Sequence, residues 1–232
     1  KLIAPFLIPF LLMMAIGPQL NWIKSNLQDK FYLIIFFIIS ILLSVLIVKN
    51  LDIKFLINTI LFSSAFYLFF ITLRDFLLKK IQNLAQNIAH FGFSLLILSI
   101  LFNNILSKEI ITNLKVGETF QFEKMSINFE KIEKEKGKNF DAILGKFNIK
   151  DNNGISEILI PELRIYNQPN IVTSEADIKT SLLSDKFMTM NLVQNQEYFN
   201  IRYQTKPFMI WIWFSVLLIS FGGLLSLFKK KI

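Results

Sequence analysis

Five stretches of the sequence, residues 2–17, 31–48, 55–73, 84–106 and 208–228, contain no Asp, Glu, Lys or Arg. A bilayer's hydrocarbon core is about 30 Å thick and takes about 20 helical residues to cross. Within it each backbone N–H and C=O must be paired inside its own segment, which selects helix. The five stretches therefore predict five transmembrane helices. The chain as a whole agrees, with 53% hydrophobic residues, 25 Phe among 232 positions and a mean hydropathy of +0.49. Pro5 and Pro9 both fall in the first stretch, where two missing donors on one face predict a kink. Residue 1 is Lys and an apolar run starts at once, so the chain is expected to be the C-terminal piece of a longer protein.

The net charge of +8 has to be located before it can be interpreted. Residues 107–206 hold 14 basic and 14 acidic side chains, and the remaining 11 basic and 3 acidic residues carry the whole excess. A basic soluble face for nucleic acid is thereby excluded. Lys24 and Lys30, then Arg74, Lys79 and Lys80, then Lys229, Lys230 and Lys231 alternate onto one side of the predicted bundle, against Lys49 and Lys54 on the other. The positive-inside tendency puts the C-terminal tail in the cytoplasm or mitochondrial matrix and residues 107–206 in the periplasm or intermembrane space. The protein is thus expected in a bacterial inner membrane or the mitochondrial inner membrane. With no cysteine in the chain, disulfides, CxxC pairs and thiolate metal sites are excluded.

The expected architecture is an α-helical polytopic membrane protein with a small antiparallel β extracytoplasmic domain. Residues 1–106 would form helices one to four, 107–206 the β domain, and 207–232 the last helix and a basic tail. The β assignment rests on alternation at Thr119-Phe120-Gln121-Phe122, at 125–129 and at 140–144, with later strands at 187–193 and 198–203. Lys136-Gly137-Lys138 and Asp151-Asn152-Asn153-Gly154 are the turn signals between them, and the domain is expected to be an open barrel or a sandwich. The run from Thr173 to Ile178, with Glu175 and Asp177, carries a capping signature and predicts a short helix.

His90 is the only histidine, and it lies inside the fourth apolar stretch. Asn83, Gln86, Asn87, His90 and Ser94 recur at spacings of three and four and share one helical face, expected to point into the bundle. An ionisable ring at membrane depth is costly and marks a functional site when a partner can be named. Three partners fit the residues: a neighbouring helix, a proton path, or a haem iron, for which neutral imidazole is a good axial ligand. A bis-histidine haem would need its second ligand from outside this chain. One His and no Cys leave no ordinary zinc site, and neither GxxxxGK[ST] nor GxGxxG occurs.

Four segments together resemble the CcmF family, the haem lyase component of cytochrome c maturation. Ala4-Pro5-Phe6 through to Gly17-Pro18 and Trp22 is similar to one region of it. Ala89-His90-Phe91-Gly92 is similar to its late histidine-bearing span. Pro161-Glu162-Leu163-Arg164-Ile165-Tyr166, followed by the 173–178 run, resembles its last periplasmic segment. Residues 202–213 with Gly222-Gly223 resemble its final span. The resemblance implies that His90 is one of two transmembrane histidines holding a b-type haem, and that a second haem is the transferred substrate. It implies a CcmE-like haem chaperone as donor, and CcmH-like subunits presenting the CxxCH thiols of apocytochrome c. The family's tryptophan-rich external loop, its flanking histidines and its other membrane histidine are missing here, so this chain alone is not expected to ligate haem.

Other residues bear two readings each. Trp211 and Trp213 are interfacial aromatic anchors or walls of a haem-transfer site. Arg202 and Lys206 meet a haem propionate or snorkel to headgroups. Glu175 and Asp177 cap a helix or orient a partner. Arg164 and Tyr166 are candidates for an interaction surface on the β domain. Two further classes stand beside the haem-handling one. The first is a haem-free transporter or assembly scaffold with His90 structural or relaying protons. The second is a b-type cytochrome subunit, disfavoured because nothing suggests a quinone site.

Overall fold

The structure, a computed structural model, describes residues 4–20, 31–51, 53–78, 84–123, 125–151, 154–193 and 197–228. Lys24, Lys30, Lys79, Lys80, Lys229, Lys230 and Lys231, on which the orientation argument rests, lie outside those residues, as do Trp22 and Asn83. The chain forms two compact units, Lys1–Ile105 with Trp211–Ile232, and Leu106–Ile210.

The first unit is helical: α1 (Ala4–Ile16) with a 3₁₀ turn (Gly17–Gln19), α2 (Phe31–Asn50), α3 (Phe55–Leu77), α4 (Leu84–Leu106) and α5 (Met209–Phe228). Four of the five, α2 to α5, are long and apolar enough to cross a membrane. α1 has 13 described residues, or about 20 Å at 1.5 Å per residue, and residues 1–3 of the predicted first stretch lie outside the described residues. Gly17 and Pro18 close it with a 3₁₀ turn. Pro9 sits inside α1 and the helix continues through it, while Pro5 falls in the first turn, where an N–H has no helical partner. α3 runs four residues beyond the predicted stretch, so Arg74 belongs to a helix and not to the loop expected at 74–83.

α3 is the central helix. Every residue from Leu61 to Leu68 is buried, and Phe62, Ala65, Phe66, Leu68 and Ile71 join Leu11 and Ala15 of α1, Val48 of α2 and Leu98 of α4 in one apolar core. Several hydroxyls within the helices are satisfied locally: Ser40 donates to the Phe36 carbonyl at 2.7 Å and Thr72 to that of Leu68 at 2.8 Å, whereas the buried Thr59 hydroxyl of α3 has no partner among the described residues.

The second unit is a two-sheet antiparallel sandwich. One sheet has the order β1 (Lys108–Leu114), β10 (Phe199–Pro207), β9 (Ser184–Leu192), β8 (Asp177–Thr180). The other runs β2 (Thr119–Phe122), β3 (Met125–Lys136), β4 (Phe140–Asp151), β6 (Glu162–Asn167), β7 (Asn170–Glu175), with β5 (Ser156–Leu159) also on β4. Alternate residues point inward, as a period of two demands: Ile127 and Phe129, Phe147 and Ile149, Met188 and Met190, Ile201 and Tyr203 fill the core. Phe129 and Phe147 stack at 4.2 Å between centroids. At the first predicted turn Gly137 donates to the Phe140 carbonyl at 2.8 Å; at the second, whose Asn152 and Asn153 lie outside the described residues, Gly154, at φ 74°, donates to the Asp151 carbonyl at 2.9 Å.

The predicted helix at 173–178 is absent and two strands stand in its place. Ile171, Val172 and Thr173 are β-branched and pair with Tyr166, Ile165 and Arg164 across β6–β7. Asp177 accepts a hydrogen bond from the Ile160 N–H at 2.6 Å instead of capping a helix, and the Ser174 hydroxyl donates to the Met190 carbonyl at 2.7 Å, joining the two sheets.

Candidate functional site: the His90 segment of the helical bundle

His90 lies six residues into α4, about 9 Å from its start. The polar stripe around it splits. Asn87 and Ser94 are buried, Gln86 is exposed, and His90 is half-buried between them. The main chain of Met14 on α1 is a polar neighbour of its imidazole. In an α-helix the Met14 carbonyl would accept from the N–H four residues on, and residue 18 is proline, which has none. The end of α1 thus leaves an acceptor open in the neighbourhood of the histidine. Gln86, one turn away on the same flank, is exposed. A main-chain carbonyl beside an imidazole can serve as outer support for a metal-bound histidine. The donor set fits one axial ligand of a haem and no more: among the described residues no group of three or more His, Cys, Asp or Glu converges.

The neighbours of His90 set helix spacing. A Cβ at Gly222 of α5 would lie 2.7 Å from the Ala89 nitrogen and 2.8 Å from the Ala85 carbonyl oxygen. A Cβ at Gly92 would lie 2.9 Å from the Leu218 Cβ and 3.0 Å from the Ser215 carbonyl oxygen. α4 and α5 therefore run antiparallel and meet through small residues on both sides of His90, a packing mode suited to lipid. Phe91 meets Phe69 of α3 at 5.2 Å and Phe93 meets Phe10 of α1 at 5.6 Å. The Ala-His-Phe-Gly segment holds the ring at the junction of α1, α3, α4 and α5.

The remaining sequence candidates are not gathered there. Trp211 and Trp213 lie in the first turns of α5, Trp213 exposed and Trp211 half-buried against Phe214. Ser215 and Gly222 face Gly92 and Ala89, so His90 is level with the stretch just before Gly222, and Trp213 is roughly 9 Å further along the helix axis. Arg202 is engaged by Glu109 across the β1–β10 pair, and this hydrogen bond, followed by one from Gln204, holds the Glu109 carboxyl below the usual carboxylate range. Lys206 is paired in register with Asp185. Arg164 bonds Glu162 at 2.9 Å and covers the Phe140 ring, which also packs on Tyr166 at 5.5 Å. These contacts lie on β6 and β10, in different sheets.

One polar cluster in the bundle escaped the sequence reading. Gln19 donates to the buried Asp75 carboxylate, Tyr32 donates to Gln19 at 2.8 Å, and Arg74 bonds Asp75 at 3.1 Å while lying over the Tyr32 ring at 3.5 Å. It ties together the 3₁₀ turn, the start of α2 and the end of α3. The signal was an acid next to a base at the end of an apolar stretch, in a region where acids are rare.

A family model described as CcmF C-terminal beta-sandwich matches residues 105–207. The cytochrome c-type biogenesis protein CcmF of Escherichia coli K12 is 24% identical over 97% of this chain and 36% of its own length. CcmF of Pseudomonas fluorescens is 28% identical over 67% of this chain and 24% of itself. The biogenesis protein ccl1 of Rhodobacter capsulatus is 32% identical over 50% of this chain and 18% of itself. The chain spans little more than a third of the E. coli relative. A solved structure titled Cytochrome c Heme Lyase CcmF aligns with a TM-score of 0.72 at 17% identity, over 96% of this chain and 39% of that one, a likeness of fold.

Proposed function

Since the chain belongs to the CcmF family, as its C-terminal portion, we propose that it is one part of a membrane haem-handling protein of cytochrome c maturation. In this reading His90 supplies one axial ligand to a b-type haem, and the second ligand comes from outside the chain. The supporting observation is the half-buried imidazole near the Met14 main chain, on the Ala-His-Phe-Gly segment where α1, α3, α4 and α5 meet. A haem so held would supply redox chemistry. The chain's own residues orient the ring, through Met14, and keep α1, α4 and α5 close enough to exclude water on the buried side. Residues 1–106 and 207–232 form the membrane part, with the basic tail in the cytoplasm or matrix. Residues 107–206 face the periplasm or intermembrane space, where a CcmE-like chaperone delivers haem and CcmH-like subunits present apocytochrome c. The bilayer is the remaining partner, and nucleic acid is not one.

The same Met14 neighbour favours a second reading, in which His90 is structural and the protein a haem-free scaffold or transporter. Visible spectra separate the two. The full-length protein is purified in detergent with and without His90→Ala. A low-spin b-type spectrum lost in the variant at unchanged yield and helicity supports ligation. A wild type without haem, or a variant with an unchanged spectrum, leaves the structural reading standing.

A further inference from the structure

We propose that the β8–β9 hairpin of the sandwich is a membrane foot, with Leu182 and Leu183 inserted into the lipid interface beside the start of α5. Both side chains are more than two-thirds exposed, at 69% and 68%, and Ile178 on β8 is half exposed. Two adjacent leucines at a hairpin tip are an unusual choice for a turn facing water, where Gly, Asn, Asp and Ser dominate.

Strand register decides which end of the sandwich carries this tip. Ser184 opposes Pro207, and Lys108 opposes Thr205. The tip therefore lies at the end where β1 follows α4 by two residues and β10 precedes α5 by two. Phe208 then donates its N–H to the Leu183 carbonyl at 2.8 Å, from a left-handed backbone at φ 59° that a bulky aromatic rarely adopts. The hairpin is thus fastened to the residue immediately before Met209, where α5 begins. This placement rests on the reading of α5 as a membrane span.

The tip's polar groups are largely satisfied within the sandwich. Ser181 donates its N–H to the Ser184 carbonyl at 3.2 Å and its hydroxyl to the same oxygen at 2.6 Å, Ser184 donates its N–H to the Ser181 hydroxyl at 3.1 Å, and the Leu183 carbonyl is taken by Phe208. A loop that pairs its own backbone and offers two leucines can enter an apolar layer at little desolvation cost. Lys179 on β8 and Lys206 on β10 lie in the strands next to the tip.

This chain has no cysteine, so single-site reporters require only that any cysteines elsewhere in the full-length protein first be replaced by serine. The full-length protein carrying Leu183→Cys, Leu192→Cys or Leu217→Cys is labelled with nitrobenzoxadiazole. It is then reconstituted in phosphatidylcholine–phosphatidylglycerol vesicles containing nitroxide lipids. Leu192, also half exposed, lies at the opposite end of β9, and Leu217 is exposed on α5. The label at 183 should be blue-shifted and lose emission to shallow nitroxides, that at 217 to deep nitroxides, and that at 192 only to aqueous iodide. A label at 183 that behaves like the one at 192, whether free in water or covered by another protein, overturns the foot. If 217 is also inaccessible to nitroxides, the span reading falls with it.

Discussion

At the residue scale, what a side chain touches narrows what it is free to do. Arg202, a candidate for propionate binding, already has a carboxylate partner in Glu109, so charge alone was a poor guide to its use. The solitary place of His90 in an apolar stretch was legible in the sequence, but its nearness to the Met14 main chain was not, because Met14 lies 76 positions away. Tyr203 has a consequence that pH can expose. Burial, then the nearby Glu157 and Asp151 charges, push its phenol up to about 12 from an ordinary 10. Below pH 10 the phenol is protonated in folded and unfolded chains alike, and its contribution is intact. Between about 10 and 12 only the unfolded chain loses the proton, so stability falls by on the order of 2 kcal/mol as pH rises through that window. Tyr203→Phe should remove that part of the alkaline slope in unfolding of the sandwich followed by circular dichroism. An identical slope in both proteins would mean that Tyr203 ionises normally.

At the element scale, long-period patterns were legible and short ones were not. α2 to α5 follow from runs of apolar residues because nothing else satisfies a lipid-embedded backbone. α1 ends within one residue of the end of its apolar stretch, where Gly17 and Pro18 tighten the chain into a 3₁₀ turn. The 173–178 run was misjudged because the capping signature is local, whereas the β7–β6 and β8–β9 ladders that overrule it are tertiary. Gly222 and Gly223, adjacent and alike in sequence, separate cleanly in the structure. A Cβ on Gly222 meets Ala89 and Ala85 backbone atoms, and one on Gly223 meets nothing within 4 Å. Gly222→Ala should therefore lower bundle stability by about 1–3 kcal/mol through overpacking of α4 against α5. Gly223→Ala should leave the detergent melting midpoint unchanged or slightly raised. Equal effects from the two substitutions would show that α5 does not pack on α4 through this face.

At the scale of the whole molecule, the chain brings one imidazole and no thiol, and it spans 36% of the E. coli relative. Composition alone thus limits what it can hold: a bis-histidine haem requires a ligand from a second polypeptide or from a segment outside these residues. The support for His90 is nevertheless internal, since α1, α3, α4 and α5 all meet around the Ala-His-Phe-Gly segment within one unit. The bundle should therefore fold without haem, and haem retention should depend on the missing ligand. Purified by itself, the chain should show α-helical circular dichroism and a cooperative melt, but no stable low-spin b-type spectrum. If His90 is a haem ligand, co-expression with the rest of the full-length protein should restore that spectrum, and His90→Ala should cancel the restoration while leaving the melt of the chain alone within about 1 kcal/mol of the parent. Stable low-spin haem on the isolated chain would place both ligands within it and remove the need for a second histidine.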